Sequence, residues 1–85
     1  MVRVVVPNML AAQAEGRQRF NLDGATLGEV LHALPVADLI FNERGDLNRH
    51  LNVYVDGIDA HELDGLSSSL SDAHEIRLVS MVSGG

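Results

Sequence analysis

The clearest chemistry in this 85-residue chain lies in its last two residues, Gly84 and Gly85. Glycine has no Cβ, so a Gly-Gly tail can thread a narrow channel and present a terminal carboxylate without steric hindrance to an attacking atom. A carboxylate is a poor electrophile by itself. Joined to AMP by a partner that holds ATP, the Gly85 carboxyl would become a mixed anhydride, open to attack by sulfur or by an amine. Ser83 completes the tail. Two glycines are also what a frayed chain end would show, so their meaning depends on the elements that precede them.

The rest of the inventory offers little for catalysis. There is no cysteine, which excludes a thiol nucleophile, a disulfide scaffold and a thiolate zinc site. No Gly-x-Ser-x-Gly elbow and no phosphate-binding glycine loop is present, and Ser67, Ser68 and Ser69 read as a solvated loop. His32, His50, His61 and His74 are scattered without metal-ligand spacing, so no metal site is expected. Six Arg stand against twelve Asp plus Glu, a net charge of −6 that opposes binding to nucleic acid or to an anionic membrane. The same charge favours an electropositive partner. Pro7 and Asn8 break the early valine run before it reaches the length of a secretory signal, and no apolar stretch approaches a membrane span; the default location is the cytoplasm.

A chain of this length forms one domain. Val2 to Val6 is β-branched apart from Arg3, which places Val2, Val4 and Val6 on a buried face. After a loop ending at Gly16, Arg17 to Leu22 alternates with Phe20 and Leu22 inward, so the two segments read as an antiparallel hairpin. Thr26-Leu27-Gly28-Glu29 matches a capping box, and Leu27, Val30, Leu31 and Leu34 follow with helical spacing up to Pro35. Val36 to Phe41 is expected to add a short helical piece before a polar turn at 42–46. Leu51 to Val55 is a strand with Leu51, Val53 and Val55 on one side, and Asp56-Gly57 predicts a type I′ hairpin turn. Residues 62–73 read as a loop with one helical turn held by Leu63, Leu66 and Leu70. A final strand is expected over 75–82. The order β-β-α-β-(β)-β, with one substantial helix, leaves one face of the sheet uncovered.

With the terminal Gly84-Gly85, this order resembles the ubiquitin-like β-grasp sulfur carriers of the MoaD/ThiS type. The resemblance is carried by the valine-rich first strand, the Ala25 to Leu31 helix start, the Leu51 to Gly57 hairpin, the loop from Leu66 to Asp72 and the ending from Ile76 to Gly85. It implies an α+β fold of the β-grasp class, a mixed four- to five-stranded sheet with one main helix on one face, with residues 1–82 as the domain and 83–85 as a flexible tail. It implies a carrier, not an enzyme, free or as the small subunit of a synthase complex. An E1-like enzyme of the ThiF/MoeB type would adenylate Gly85 with its own ATP and Mg, and sulfur transfer would leave a C-terminal thiocarboxylate. A sulfur-accepting synthase would then consume it, in the making of cysteine, molybdopterin, thiamine or a specialised metabolite. No cofactor is expected on this chain itself. The approach Leu78-Val79-Ser80-Met81-Val82 departs from the aromatic and proline-rich approach of many molybdopterin-synthase small subunits, and Asn52 to Gly57 looks closer to carriers serving cysteine biosynthesis.

Strand register suggests where partners would dock. If Val4 and Leu78 face the helix, Val5, Tyr54 and Val79 lie on the open face, with Met81 and Val82 extending that patch towards the tail. Two alternatives use the same residues differently: a protein modifier conjugated through Gly85, or an interaction module whose tail is idle. The chain contains no Lys, so chains of itself linked through lysine cannot form.

Overall fold

The computed structural model describes residues 1–70 and 75–80. Strand β1 (Val2–Val5) is followed by a short helix α1 (Asn8–Ala11), strand β2 (Arg19–Leu22), helix α2 (Leu27–His32) and helix α3 (Ala37–Ile40). Strands β3 (Leu51–Val55), β4 (Ile58–Asp59) and β5 (Glu75–Ser80) complete one five-stranded sheet in the order β2-β1-β5-β3-β4. The central pair β1 and β5 is parallel and every other pairing is antiparallel. A mixed sheet gripping its helices on one face is the β-grasp arrangement expected from the sequence.

Pairing register puts the alternating apolar residues in line across the sheet. Val4 stands opposite Phe20 on one side and Ile76 on the other, and Ile76 stands opposite Val55. These side chains meet Leu27, Val30, Leu31 and Leu34 in one core, and Val4, Ile76, Leu27, Val30 and Leu31 are wholly buried. The apolar stripe of α2 thus lies on the sheet as its spacing demands. The capping box is present: the Glu29 N–H donates to Thr26 Oγ1 at 3.3 Å, and the Thr26 N–H donates to Glu29 Oε2 at 3.0 Å. Glu29 Oε2 also accepts from the Ala25 N–H at 2.9 Å, so one carboxylate satisfies two amides at the helix start. Near Pro35 the last turn tightens, with Ala33 and Leu34 donating to Val30 and Leu31 three residues back.

Three expectations need correction. Residues 8–16 are not an open loop: α1 runs into a single 3-10 turn, Ala12–Ala14, and buries Leu10, Ala11 and Ala14. The one helical turn expected within 62–73 is present as a 3-10 turn, Gly65–Ser67, and a second 3-10 turn, Ala60–Glu62, precedes it in the connection from β4 to β5, of which residues 71–74 lie outside the described residues. Within it Leu70 is buried and Leu66 packs against the core, but Leu63 is 40% exposed and holds nothing down. Ser68, expected to be solvated, is buried: its hydroxyl donates to the Gly65 carbonyl at 2.7 Å and accepts from the Asp64 N–H at 3.0 Å. Its own carbonyl accepts the Leu27 N–H at 3.0 Å, tying this connection to the helix start.

Candidate functional site

The residues with chemical promise all depend on β5, which lies third of five strands, between β1 and β3. Ile76 and Leu78 bury one edge of its pleat completely or nearly so, and the intervening Glu75, Arg77 and Val79 point to the face without helices. β5 pairs with β1 over Glu75 to Arg77 and with β3 over Ile76 to Ser80, which fixes its register up to the last described residue. Gly84 and Gly85, with Ser83, Val82 and Met81, lie outside the described residues.

The start of β5 is fixed by the hairpin turn before β4. Asp56 and Gly57 both have positive φ, 51° and 86°, as a type I′ turn requires. Asp56 then reaches β5: its N–H donates to the Glu75 carbonyl, and the Glu75 N–H donates to Asp56 Oδ1, each at 2.9 Å. At the other end, the Ser80 hydroxyl donates to Met9 Sδ at 3.4 Å, which brings α1 against the root of the tail. Sequence reasoning misses that contact because it reads residues 8–16 as loop. Leu10, Ala11 and Ala14 at helical spacing, with helix-forming Ala12 and Gln13 between them, are the available signal.

Val5, Tyr54 and Val79 do share the open face, but they are not one apolar patch. One row crosses the sheet as Arg19, Val5, Arg77, Tyr54 and Asp59, so Arg77 separates Val5 from Tyr54. Val79, 38% exposed, stands one pleat further along β5, opposite Asn52. Glu75 takes ion pairs from Arg3 at 4.0 Å and Arg77 at 3.3 Å. The Asp59 carboxylate sits below the ordinary aspartate range, mainly because it accepts the His61 N–H at 2.9 Å, with the His61 ring at 3.0 Å adding to the effect.

Of the candidate histidines, His74 lies outside the described residues. His32 stacks on Phe41 with ring centroids 4.0 Å apart, and no three His, Asp or Glu side chains among the described residues are placed to hold a metal ion. No helix among the described residues is long and apolar enough to cross a membrane. The arrangement leaves one sheet face without helices and brings the described part of the chain to its end at Ser80 on β5.

Comparison with known proteins agrees along the whole length. The chain is 29% identical to the sulfur carrier protein CysO of Mycobacterium tuberculosis, over 99% of this chain and 98% of that one. The crystal structure of that organism's CysO superposes with a TM-score of 0.84 at 25% identity, covering 96% of this chain and 100% of the other. A chain of the Amycolatopsis orientalis BexX/CysO complex gives 0.87 at 26% identity with both chains fully covered, and SAMP1 of Haloferax volcanii gives 0.73 at 30% identity, covering 99% and 98%. The ThiS family model matches residues 4–85, from the first strand through the final glycine pair, and with full-length relatives agreeing in both sequence and fold the chain belongs to the ThiS family.

Proposed function

We propose that the chain is a sulfur carrier, a co-substrate with no catalysis of its own, whose working group is the C-terminal carboxyl of Gly85. One observation carries the reading: the family match continues through residue 85, beyond the last described strand, so the shared pattern includes the tail as well as the domain. The CysO relatives, named as sulfur carriers, support the same role. An adenylating enzyme of the ThiF/MoeB type, with its own ATP and Mg, serves as partner. A Gly85 carboxylate oxygen attacks the α-phosphorus of ATP, and pyrophosphate leaves. Hydrosulfide then attacks the acyl carbon and expels AMP, and loss of the sulfur-bound proton leaves a thiocarboxylate for a sulfur-accepting synthase. The chain's part is positional: residues 1–82 form the domain that the partner grips, and 83–85 are the tail that reaches the chemistry, with Gly84 leaving room for it.

Partner-dependent ATP–pyrophosphate exchange tests the first step. Exchange with the wild-type chain that disappears when Gly85 is deleted supports the reading, and exchange indifferent to Gly85 refutes it. The likeness to SAMP1, the small archaeal modifier protein, favours one second reading, conjugation of the activated Gly85 to amines of other proteins. Both readings share the adenylation step, and the appearance of amide-linked conjugates separates them.

A further inference from the structure

The net charge of −6 is unevenly distributed. The five strands carry three arginines, Arg3, Arg19 and Arg77, against two carboxylates, Asp59 and Glu75, whereas the remainder of the chain carries three arginines against ten acidic residues. All three strand arginines project from the open face, because their neighbours Val2, Val4, Phe20, Ile76 and Leu78 are buried on the other. Asp38, Glu43, Asp46, Glu62 and Asp64 all lie outside the sheet. The expectation of an electropositive partner, taken from the total charge, therefore does not apply to this face.

Arg19 and Arg77 flank Val5 on either side in the same row, one strand away each, so their backbones stand about 10 Å apart. Where β1 turns away at Pro7, a groove of about 470 Å3 opens beside them, lined by Val5, Gln18, Arg19, Arg77 and Val79 among others. Arg77 shares Glu75 with Arg3, while Arg19 has no ion pair among the described residues. Both guanidiniums can converge on a group seated over Val5, and a carboxylate is the protein group that fits a pair of guanidinium forks.

We propose that this groove is the docking seat for a protein partner whose contact surface carries Asp or Glu side chains around an apolar centre, with a carboxylate held between Arg19 and Arg77 and apolar side chains against Val5 and Val79. The partner's engagement in sulfur transfer rests on the carrier reading; the charge preference of the face does not. Screening decides whether the acidic remainder of the chain would repel such a partner. The molecule measures 35 × 26 × 25 Å, and at physiological ionic strength charges interact over only about 8 Å, so a partner touching the open face feels the nearby arginines far more than the distant acids. The acidic remainder then acts as an orienting device, disfavouring approach of an acidic partner from any other side.

The test uses two probes on the full chain. In an NMR titration of 15N-labelled protein, hexaglutamate peptide should shift the amides of Val5, Arg19, Arg77 and Val79, the shifts should shrink with added salt, and hexalysine should leave them unmoved. The double variant R19E/R77E should abolish the response, and R19Q/R77Q, which removes charge without reversing it, should weaken it. Shifts centred elsewhere, equal responses to both peptides, or a folded double variant that responds like wild type would overturn the proposal. With the adenylating enzyme as the second probe, R19E/R77E should raise Kd by about tenfold or more, and an unchanged Kd would also overturn it. Loss of adenylation in the wild-type chain with the peptide response intact would instead refute the carrier reading alone.

Discussion

Asp56 and Glu75 hold each other by two reciprocal hydrogen bonds of 2.9 Å, one from backbone to backbone and one from the Glu75 amide to the Asp56 carboxylate. The pair joins the tip of the β3–β4 hairpin to the first residue of the strand that leads to the tail. Asp56 achieves this from a positive φ of 51°, a conformation that Asp and Asn tolerate better than other non-glycine residues. Asp56→Ala removes the acceptor and leaves a β-carbon at the same φ, so it should cost about 1–2 kcal/mol in urea unfolding. Asp56→Asn keeps a side-chain oxygen and should cost clearly less; equal losses would show that the charge, and not the hydrogen bond, matters.

The entry to α2 depends on a glycine for space rather than for dihedral freedom. A β-carbon on Gly24 would lie 2.6 Å from Val30 Cγ2 and 3.1 Å from the Val30 nitrogen. Val30 is wholly buried and has no room to retreat. Gly24→Ala should therefore destabilise by roughly 1–3 kcal/mol, a fall in Tm of several degrees for a domain of this size. An unchanged melting temperature would mean that the turn before the helix adapts freely.

Glu29 concentrates the capping of that helix, with its carboxylate accepting from the amides of both Ala25 and Thr26. Glu29→Ala should cost about 1 kcal/mol and Thr26→Ala a similar amount. The double variant should lose less than the sum, because the two side chains cap each other. Strict additivity in a double-mutant cycle would contradict the reciprocal arrangement.

The pH response of Asp59 has a definite sign. Its carboxylate is held below the ordinary range by the His61 amide first and the His61 ring second. A group whose folded pKa is depressed stabilises the fold at pH values above its unfolded pKa and loses that contribution as pH falls through the lower folded value. Titration followed by NMR should place Asp59 below a reference aspartate. His61→Ala, which keeps the amide donor, should preserve most of the shift; full return to the reference value would assign the effect to the ring instead.

Much of this architecture is legible in the residues. Alternation identifies β1, β2, β3 and β5, the Thr26–Glu29 box marks the start of α2, and Asp56-Gly57 marks the hairpin, because each rests on a local rule that the tertiary structure obeys. The short α1 is hidden by a proline and an asparagine that read as turn chemistry but serve as a helix start, with Pro7 at the N-cap. Leu63 and Ser68 exchange their expected places because burial in the irregular connection is set by the hydrogen bonds of Ser68, which composition does not reveal. On the site, alternation puts Val5, Tyr54 and Val79 on one face. The interposition of Arg77 and the pairing of Arg19 with Arg77 around Val5 depend on which strands are neighbours, and strand order is not contained in any one segment.

The central claim is most directly tested by intact-protein mass spectrometry after incubation with an adenylating enzyme of the ThiF/MoeB type, ATP, Mg and a sulfur source. The account predicts a mass gain equal to the replacement of one oxygen by one sulfur, localised by fragmentation to Gly85 and absent from a chain lacking that residue. An unmodified mass with several such enzymes, each shown to be active on its own carrier, would contradict it.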